Sequence, residues 1–193
     1  MNEASHCHYQ AGEQIVLVPH DPRWSNAFEQ EAELIRRALS GVSMEVHHIG
    51  STAIPGIAAK PVIDMIGVAA SVDVLDENAH RLVAIGYEAM GEYGIAGRRY
   101  FRKDSRDGAR THQLHAFATG SPDIQRHIDF RDYMRAFPDA AAAYEQLKLA
   151  LARRSGPDIV RYADAKTDFV RDIERRAAAW RSARTDANDR ETR

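Results

Sequence analysis

The sequence contains little cysteine, little net charge and no long hydrophobic run. Its single cysteine, Cys7, excludes an internal disulfide and is typical of a reducing compartment. The net charge is −2, so no overall field favours a nucleic acid or a membrane surface as partner. No apolar run reaches the roughly 20 residues that span a bilayer, and the first residues lack the pattern of a secretory signal. We therefore expect a cytoplasmic protein whose partner is a small molecule or another protein.

Length and composition allow one large domain or one domain with a helical extension. With 193 residues, 44% of them hydrophobic, the chain can bury a substantial core. The polar start and the charged end lack apolar periodicity, so we expect flexible segments at 1–14 and 181–193. Between them we predict a single domain over 15–180, with a sheet part at 15–120 and a helical part at 121–180.

Hydrophobic periodicity predicts strands and helices in a mixed order. A short strand-like run at 15–18 precedes a helix that Asp21 and Pro22 start and Gly41 ends. The next predicted elements are a strand at 44–49, a strand at 62–69, a helix at 72–86, a glycine-broken strand or hairpin at 87–104 and a strand at 111–118. Helices follow at about 122–136, 139–154 and 158–180. This order predicts an α/β (α+β) fold with a small mixed β-sheet flanked by helices and a helical C-terminal half.

A glycine–serine loop joins two of the predicted strands within the stretch HIGSTAIPGIAAKPVIDMIG. Gly50 allows close approach of the backbone to a ligand and Ser51 adds a hydroxyl, an arrangement that suits phosphate. Asp64 is an isolated carboxylate in an apolar strand, where it is costly unless it is paired, binds a metal or stays protonated. The pattern favours a phosphate and metal site, to which Lys60 adds a positive charge. The alternatives are a plain turn, a salt bridge of Asp64 with Lys60 or Arg99, and a Lys60 side chain that is simply solvated.

Basic and imidazole side chains later in the sheet part are further candidates. The segment GRRYFRK carries four cations, which are Arg98, Arg99, Arg102 and Lys103. One or two of them are candidates for phosphate recognition, and the alternative is a charged hairpin edge. The segment THQLHAF carries His112 and His115, each a candidate base, metal ligand or hydrogen-bond donor, or a structural histidine. Strand alternation places Gln113 and His115 on one face and His112 on the other.

Together, these segments and the helical IDFRDYMRAFPDAAAAYEQLKLALA resemble the GrpB family over about 15–180. That family is similar in fold to the nucleotidyltransferase superfamily, so the resemblance implies a sheet of that type and a nucleotide or other phosphate ester as ligand. It also implies Mg²⁺-assisted nucleotidyl transfer to an acceptor that the sequence does not identify. By this resemblance the catalytic residues are Asp64, His112 and His115, with Asp64 as metal ligand. The phosphate-binding or nucleotide-binding residues are Gly50, Ser51, Thr52, Lys60 and Arg99.

The carboxylate pattern of the superfamily is incomplete in this sequence. The second acid, expected two residues after Asp64, is replaced by Ile66, and THQLHAF offers no third one. The rival hypothesis is therefore a non-catalytic accessory or interaction module on the same fold. Since GrpB-like domains occur fused to dephospho-CoA kinase, the resemblance places such a role near coenzyme A metabolism. A nucleic-acid-binding role ranks last, because no basic face interleaved with aromatic residues is apparent.

Overall fold

The structure, a computed structural model, describes residues 16–155 and 159–191, with the backbone alone for 154–155, 159–165 and 188–191. The described chain divides into two compact units. The sheet unit runs from Val16 to Ile124, and the helical unit runs from Gln125 onward. The predicted flexible segment at 1–14 and the predicted helix-capping Asp158 lie outside the described residues.

The sheet unit contains two helices and a mixed sheet. Its elements are α1 (Arg23–Ala38), β1 (Met44–Ile49), a 3₁₀ turn (Ser51–Ala53), β2 (Ile63–Ala69), α2 (Val72–Ala84), β3 (Tyr87–Ala89), β4 (Arg99–Asp104) and β5 (Arg110–Ala118). The strand order is β1-β2-β5-β4-β3. The central pair β2 and β5 is parallel, and the other neighbours are antiparallel. The predicted small mixed sheet is confirmed.

Two rows of side chains cross this sheet and point to opposite sides, because successive residues of a strand alternate between faces. The Asp64 row consists of Asp64, Gln113, Arg102 and Glu88. The adjacent His112 row consists of Ile63, His112, Lys103 and Tyr87. We call the side of the His112 row the core face and the side of the Asp64 row the Asp64 face.

The hydrophobic core of the sheet unit lies between the core face and the two helices α1 and α2. Buried members of this core include Phe28 and Ile35 of α1, Leu75 of α2, and Met65 and Leu114 of the central strands. Burying each such side chain contributes about 1.5–3 kcal/mol. This packing fixes which face of the sheet each strand residue occupies, and so it positions the Asp64 row on the opposite side.

The first described residues form less regular structure than predicted. Of the predicted strand at 15–18, residue 15 lies outside the described residues, and Val18 forms only an isolated bridge with Ala59. Pro19, which follows it, has no N–H to extend a ladder. The helix α1 begins one residue later than predicted. The Asp21 side chain nevertheless accepts a hydrogen bond of 2.9 Å from the backbone N–H of Arg23, so it serves the first turn as expected.

The described part of the helical unit consists of helices. They are α3 (Pro122–Ala136), which starts in the sheet unit, α4 (Pro138–Ser155) and α5 (Ile159–Glu191). The predicted end of the last helix at 180 is wrong, because α5 continues to Glu191. Arg181 donates a hydrogen bond of 2.8 Å to the buried Asp129 of α3, which anchors this extension. No described helix is both long enough and apolar enough to cross a membrane.

Candidate functional site

The glycine–serine loop begins with a backbone conformation that excludes other residues. Gly50 follows the last residue of β1 and has φ 71° and ψ −171°, a region that is essentially restricted to glycine. Ser51, which is half-buried, then opens the 3₁₀ turn. The loop therefore bends sharply at the end of the strand, at the position where sequence reasoning placed a phosphate-binding turn.

The Asp64 side chain lies directly against this bend. Ile49 pairs with Asp64 across the antiparallel strands, so Gly50 is adjacent to the carboxylate. A Cβ atom placed on Gly50 would lie 2.5 Å from Asp64 Oδ2 and 2.9 Å from Asp64 Cβ. These separations are too short for any side chain at position 50. The structure thus brings the predicted turn and the predicted carboxylate into contact.

Thr52 holds the turn in place through its hydroxyl group. Thr52 Oγ1 donates to the carbonyl oxygen of Val62 at 3.1 Å and lies 3.0 Å from His48 Nε2. The His48 ring stacks on Phe28 of α1, with 4.8 Å between ring centroids. Since the Thr52 side chain is buried and engaged within the fold, its observed contacts fix the loop. Lys60 is half-buried at the other end of the loop.

Gln113 and Ile66 occupy the positions beside Asp64 on the same face of the sheet. Gln113 of β5 is the register partner of Asp64 across the central parallel pair, and its side chain is buried. Ile66 is fully buried two residues along β2 and pairs with His115. Asp64 thus has an amide beside it and an apolar side chain at the alternate position.

A buried arginine sets the hydrogen-bonding state of His115 on the Asp64 face. Arg98 is only 2% exposed and donates to the carbonyl oxygens of Glu92 (3.1 Å) and Tyr93 (2.6 Å). Arg98 Nη1 also lies 3.2 Å from His115 Nδ1. Because a guanidinium has only donors, His115 Nδ1 must accept, and the proton of the neutral ring is then on Nε2. His115 is therefore a donor through Nε2 and does not offer an open base at Nδ1.

The structure does not bring His112 or Arg99 to Asp64, because both lie on the core face. Arg99 donates to both carboxylate oxygens of Asp76 in α2, at 2.5 and 2.6 Å. His112 Nε2 lies 3.8 Å from the carboxylate of Glu31 in α1. Burial lowers the pKa of His112, and the negative charge of Glu31 opposes that shift. Both side chains thus face a carboxylate on the covered side of the sheet.

The other cations of GRRYFRK also pair within the protein. Arg102 donates to Glu88 at 2.5 Å within the Asp64 row. Lys103 donates to Glu31, which is only 7% exposed, at 2.8 Å on the core face. The alternative of a charged sheet edge is wrong, since β4 pairs with both β3 and β5.

The metal-binding capacity of the site is limited to one carboxylate. Among the residues that the structure describes, no group of three or more His, Cys, Asp or Glu side chains could hold a metal ion. Mg²⁺ is commonly held by one or two carboxylates together with phosphate oxygens and water. Asp64 therefore fits a single ion that arrives with a phosphate ligand, and the described residues do not fit a pair of ions.

Comparison with known proteins assigns the chain to a family. The sequence pattern of the family described as GrpB protein matches residues 14–176. The chain belongs to the GrpB family. It is 36% identical over 181 residues to the UPF0157 protein YqkA of Bacillus subtilis, a match covering 94% of this chain and 52% of that protein. This GrpB-family chain thus spans about half the length of that relative.

Another relative carries an enzyme name. The chain is 31% identical over 191 residues to the dephospho-CoA kinase of Mycobacterium bovis, a match covering 86% of this chain and 47% of the kinase. The kinase is thus about twice as long as the region that it shares with this GrpB-family chain.

Solved structures confirm the fold of the GrpB-family chain. It matches the conserved protein GrpB from Enterococcus faecalis with a TM-score of 0.77 and 38% identity, covering 84% of this chain and 96% of that one. It also matches a MgATP-bound mutant of the Cid1 poly(U) polymerase with a TM-score of 0.50 and 14% identity, covering 70% of this chain and 43% of the polymerase. At that identity the second likeness is one of fold alone, which is nucleotidyltransferase-like.

Sequence reasoning assigned no site role to Gln113, and it named Arg98 only as one of four candidate phosphate-binding cations. For Gln113 the available signal was its position on the same strand face as His115. That it lies beside Asp64 depends on the register of β2 and β5, two strands far apart in sequence. For Arg98 the sequence offers four adjacent cations and no means of separating the buried one. Both assignments required the tertiary structure.

Proposed function

We propose that the chain binds a nucleotide or another phosphate ester at the Gly50–Ser51 turn, beside Asp64. The observation that carries the proposal is the contact of the Asp64 carboxylate with a glycine at φ 71°. Phosphate oxygens require close approach of a backbone, which a residue without a Cβ allows. Lys60 and the Nε2 proton of His115 would add positive charge and a hydrogen-bond donor. His112 and Arg99 have no part in the proposal, since they lie on the core face.

The proposal includes one Mg²⁺ ion, held by Asp64 and by the phosphate oxygens of the ligand. When bound, such an ion neutralises phosphate charge and favours displacement at phosphorus. The corresponding reaction is nucleotidyl transfer, in which an acceptor oxygen bonds to the α-phosphorus and pyrophosphate leaves. The protein's own contribution would be to hold the phosphates against the turn and to fix their orientation. We propose the cytoplasm, where nucleotides are abundant, as the location.

A calorimetric titration tests this function. ATP, GTP and CTP are each titrated into the protein with and without Mg²⁺, using the wild type and Asp64→Asn. The matched control is Asp107→Asn, which removes an exposed carboxylate from the turn before β5. We expect Mg²⁺-dependent binding in the wild type and the control, and loss of the Mg²⁺ dependence in Asp64→Asn. Absence of both binding heat and thermal stabilisation with all three nucleotides would contradict the proposal.

The second candidate function is a non-catalytic accessory module that binds a phosphate ester or a protein partner near coenzyme A metabolism. Two observations favour it: Ile66 is fully buried where a second acid would be expected, and a relative carries the name dephospho-CoA kinase. In the same titration this candidate predicts that Asp64→Asn leaves ligand affinity nearly unchanged. Dephospho-CoA is added as a fourth ligand, and binding that needs no Mg²⁺ would support the accessory role.

A further inference from the structure

The Gln113 side chain has unused hydrogen-bonding capacity next to Asp64. Gln113 is only 4% exposed, and within the described residues its amide forms no side-chain hydrogen bond. Its neighbours in the Asp64 row differ in this respect, because Arg102 is paired with Glu88 at 2.5 Å. The Gln113 amide atoms are not among the fully buried, unpartnered polar atoms of the described residues, which are His20 Nδ1 and the Tyr87 hydroxyl oxygen. They therefore keep contact with solvent, and a polar group of a ligand can reach them.

Gln113 lies on the same face of the sheet as the Gly50 bend, with Asp64 between them. Asp64 and Gln113 are register partners on adjacent parallel strands, so their side chains leave the sheet in the same direction, roughly 5 Å apart. Gly50 lies against the other side of the Asp64 carboxylate. The bend, the carboxylate and the amide thus form a continuous line on one face of the sheet.

The chemistry of the two side chains is complementary. A carboxylate offers only acceptors and needs a cation to hold an anionic oxygen, whereas an amide NH₂ offers two donors and needs none. An acid at position 113 would add a second negative charge beside Asp64 and would require a second cation. The amide instead supplies the positive end of a dipole at that point, without metal.

We propose that Gln113 is a ligand-contacting residue whose amide donates a hydrogen bond to a phosphate oxygen, so that the site takes a phosphate ester with one cation and not two. This inference rests on the proposed function and names the residue that sets its cation requirement. His115 lies two residues further along β5 on the same face, and Arg98 contacts it there, so this pair borders the proposed contact.

The first test measures ligand affinity. Gln113→Leu removes both amide donors at similar volume, and Gln30→Leu, which removes an exposed amide from α1, is the matched control. We expect Gln113→Leu to weaken MgATP binding about tenfold, as loss of one hydrogen bond to a charged group predicts, and to leave thermal stability equal or higher. The control stays within twofold of the wild type. Unchanged affinity in a folded Gln113→Leu protein would overturn the inference and leave the proposed function intact.

The second test uses a metal alone, so that it does not depend on nucleotide binding. Gln113→Asp places two carboxylates in register, and we expect this variant to bind one Mn²⁺ at least tenfold more tightly than the wild type, as measured by electron paramagnetic resonance. Adding Asp64→Asn should remove that gain. If Mn²⁺ affinity does not rise in the folded variant, side chains 64 and 113 do not converge on one ligand and the inference fails. If the wild type binds no nucleotide, the proposed function fails whatever the Mn²⁺ result, and the proposed phosphate contact of Gln113 fails with it.

The same variant also reports the number of ions taken up with the ligand. With ATP already saturated by one Mg²⁺, the wild-type affinity should not change as Mg²⁺ is raised further. In Gln113→Asp the logarithm of the affinity should rise with the logarithm of the Mg²⁺ concentration, with a slope approaching one. A wild-type slope near one would overturn the single-cation inference.

Discussion

Replacing Gly50 by alanine tests the geometry of the candidate site most directly. The backbone at φ 71° and ψ −171° costs a residue with a side chain about 1–3 kcal/mol. The new Cβ would also lie 2.9 Å from Asp64 Cβ, which rotation of the Asp64 side chain cannot relieve because that atom is fixed by the strand. Forcing β1 and β2 apart adds about 1–3 kcal/mol. We therefore expect Gly50→Ala to lower the free energy of unfolding by about 4 kcal/mol.

The matched control for this substitution is Gly108→Ala. Gly108 also has a positive φ, of 83°, but a Cβ there would meet nothing within 4 Å. Only the backbone penalty applies, so we expect a loss of about 1–2 kcal/mol. Urea unfolding followed by circular dichroism measures both values. Equal losses in the two variants would refute the argument that Asp64 occupies the space beside Gly50.

Three further substitutions test buried charges. Burial, and secondarily the charge of Lys166, lowers the pKa of Lys148 from 10.5 to about 7. Between these two pKa values the unfolded chain binds a proton that the folded chain does not. Stability therefore rises with pH between the two values, by up to ~1.4 kcal/mol per pH unit. Lys148→Met should lose this slope in urea unfolding at pH 7, 8 and 9, and parallel profiles would contradict it. Lys103→Met leaves the buried carboxylate of Glu31 without its closest cation and should cost about 3–5 kcal/mol of stability. Adding Glu31→Leu should recover most of this loss. A loss below about 1 kcal/mol in Lys103→Met alone would oppose the pairing of Lys103 with Glu31. Arg98→Lys cannot reproduce the guanidinium's bonds to two carbonyl oxygens and His115, so a loss of about 2–3 kcal/mol is expected by the same assay, and a neutral result would count against the role assigned to the guanidinium.

The local parts of the fold were predictable because they depend on short-range patterns. Apolar patterns and turn glycines located β1, β2 and β5 to within a residue or two, and they placed β3 and β4 inside one hairpin segment at 87–104 without giving their inner bounds. The contact between Gly50 and Asp64 was also within reach, since a loop that joins two neighbouring antiparallel strands brings its first residue near the start of the second strand. Strand alternation likewise placed His112 and His115 on opposite faces, as the structure confirms.

The parts that could not be predicted depend on packing between distant segments. Arg99 was assigned to phosphate, but its partner Asp76 lies in α2, and no sequence pattern states which face of β4 that helix covers. The contact of His112 with Glu31 of α1 could not be predicted for the same reason, because no sequence pattern states which strand residues that helix covers. The length of α5 was underestimated because a charged, apolar-poor segment resembles a tail unless the contact of Arg181 with Asp129 is known.

The parallel pairing of β2 with β5 affects when the candidate site forms. Asp64 and Gln113 are separated by a long stretch of chain, which includes α2, β3 and β4. Closing a loop of that size is slow compared with forming a helix or a hairpin. We therefore expect a partly folded chain to form the Gly50 bend before the Gln113 amide comes to lie beside it. Ligand affinity should accordingly appear late in refolding, and its onset provides a kinetic marker for completion of the central sheet.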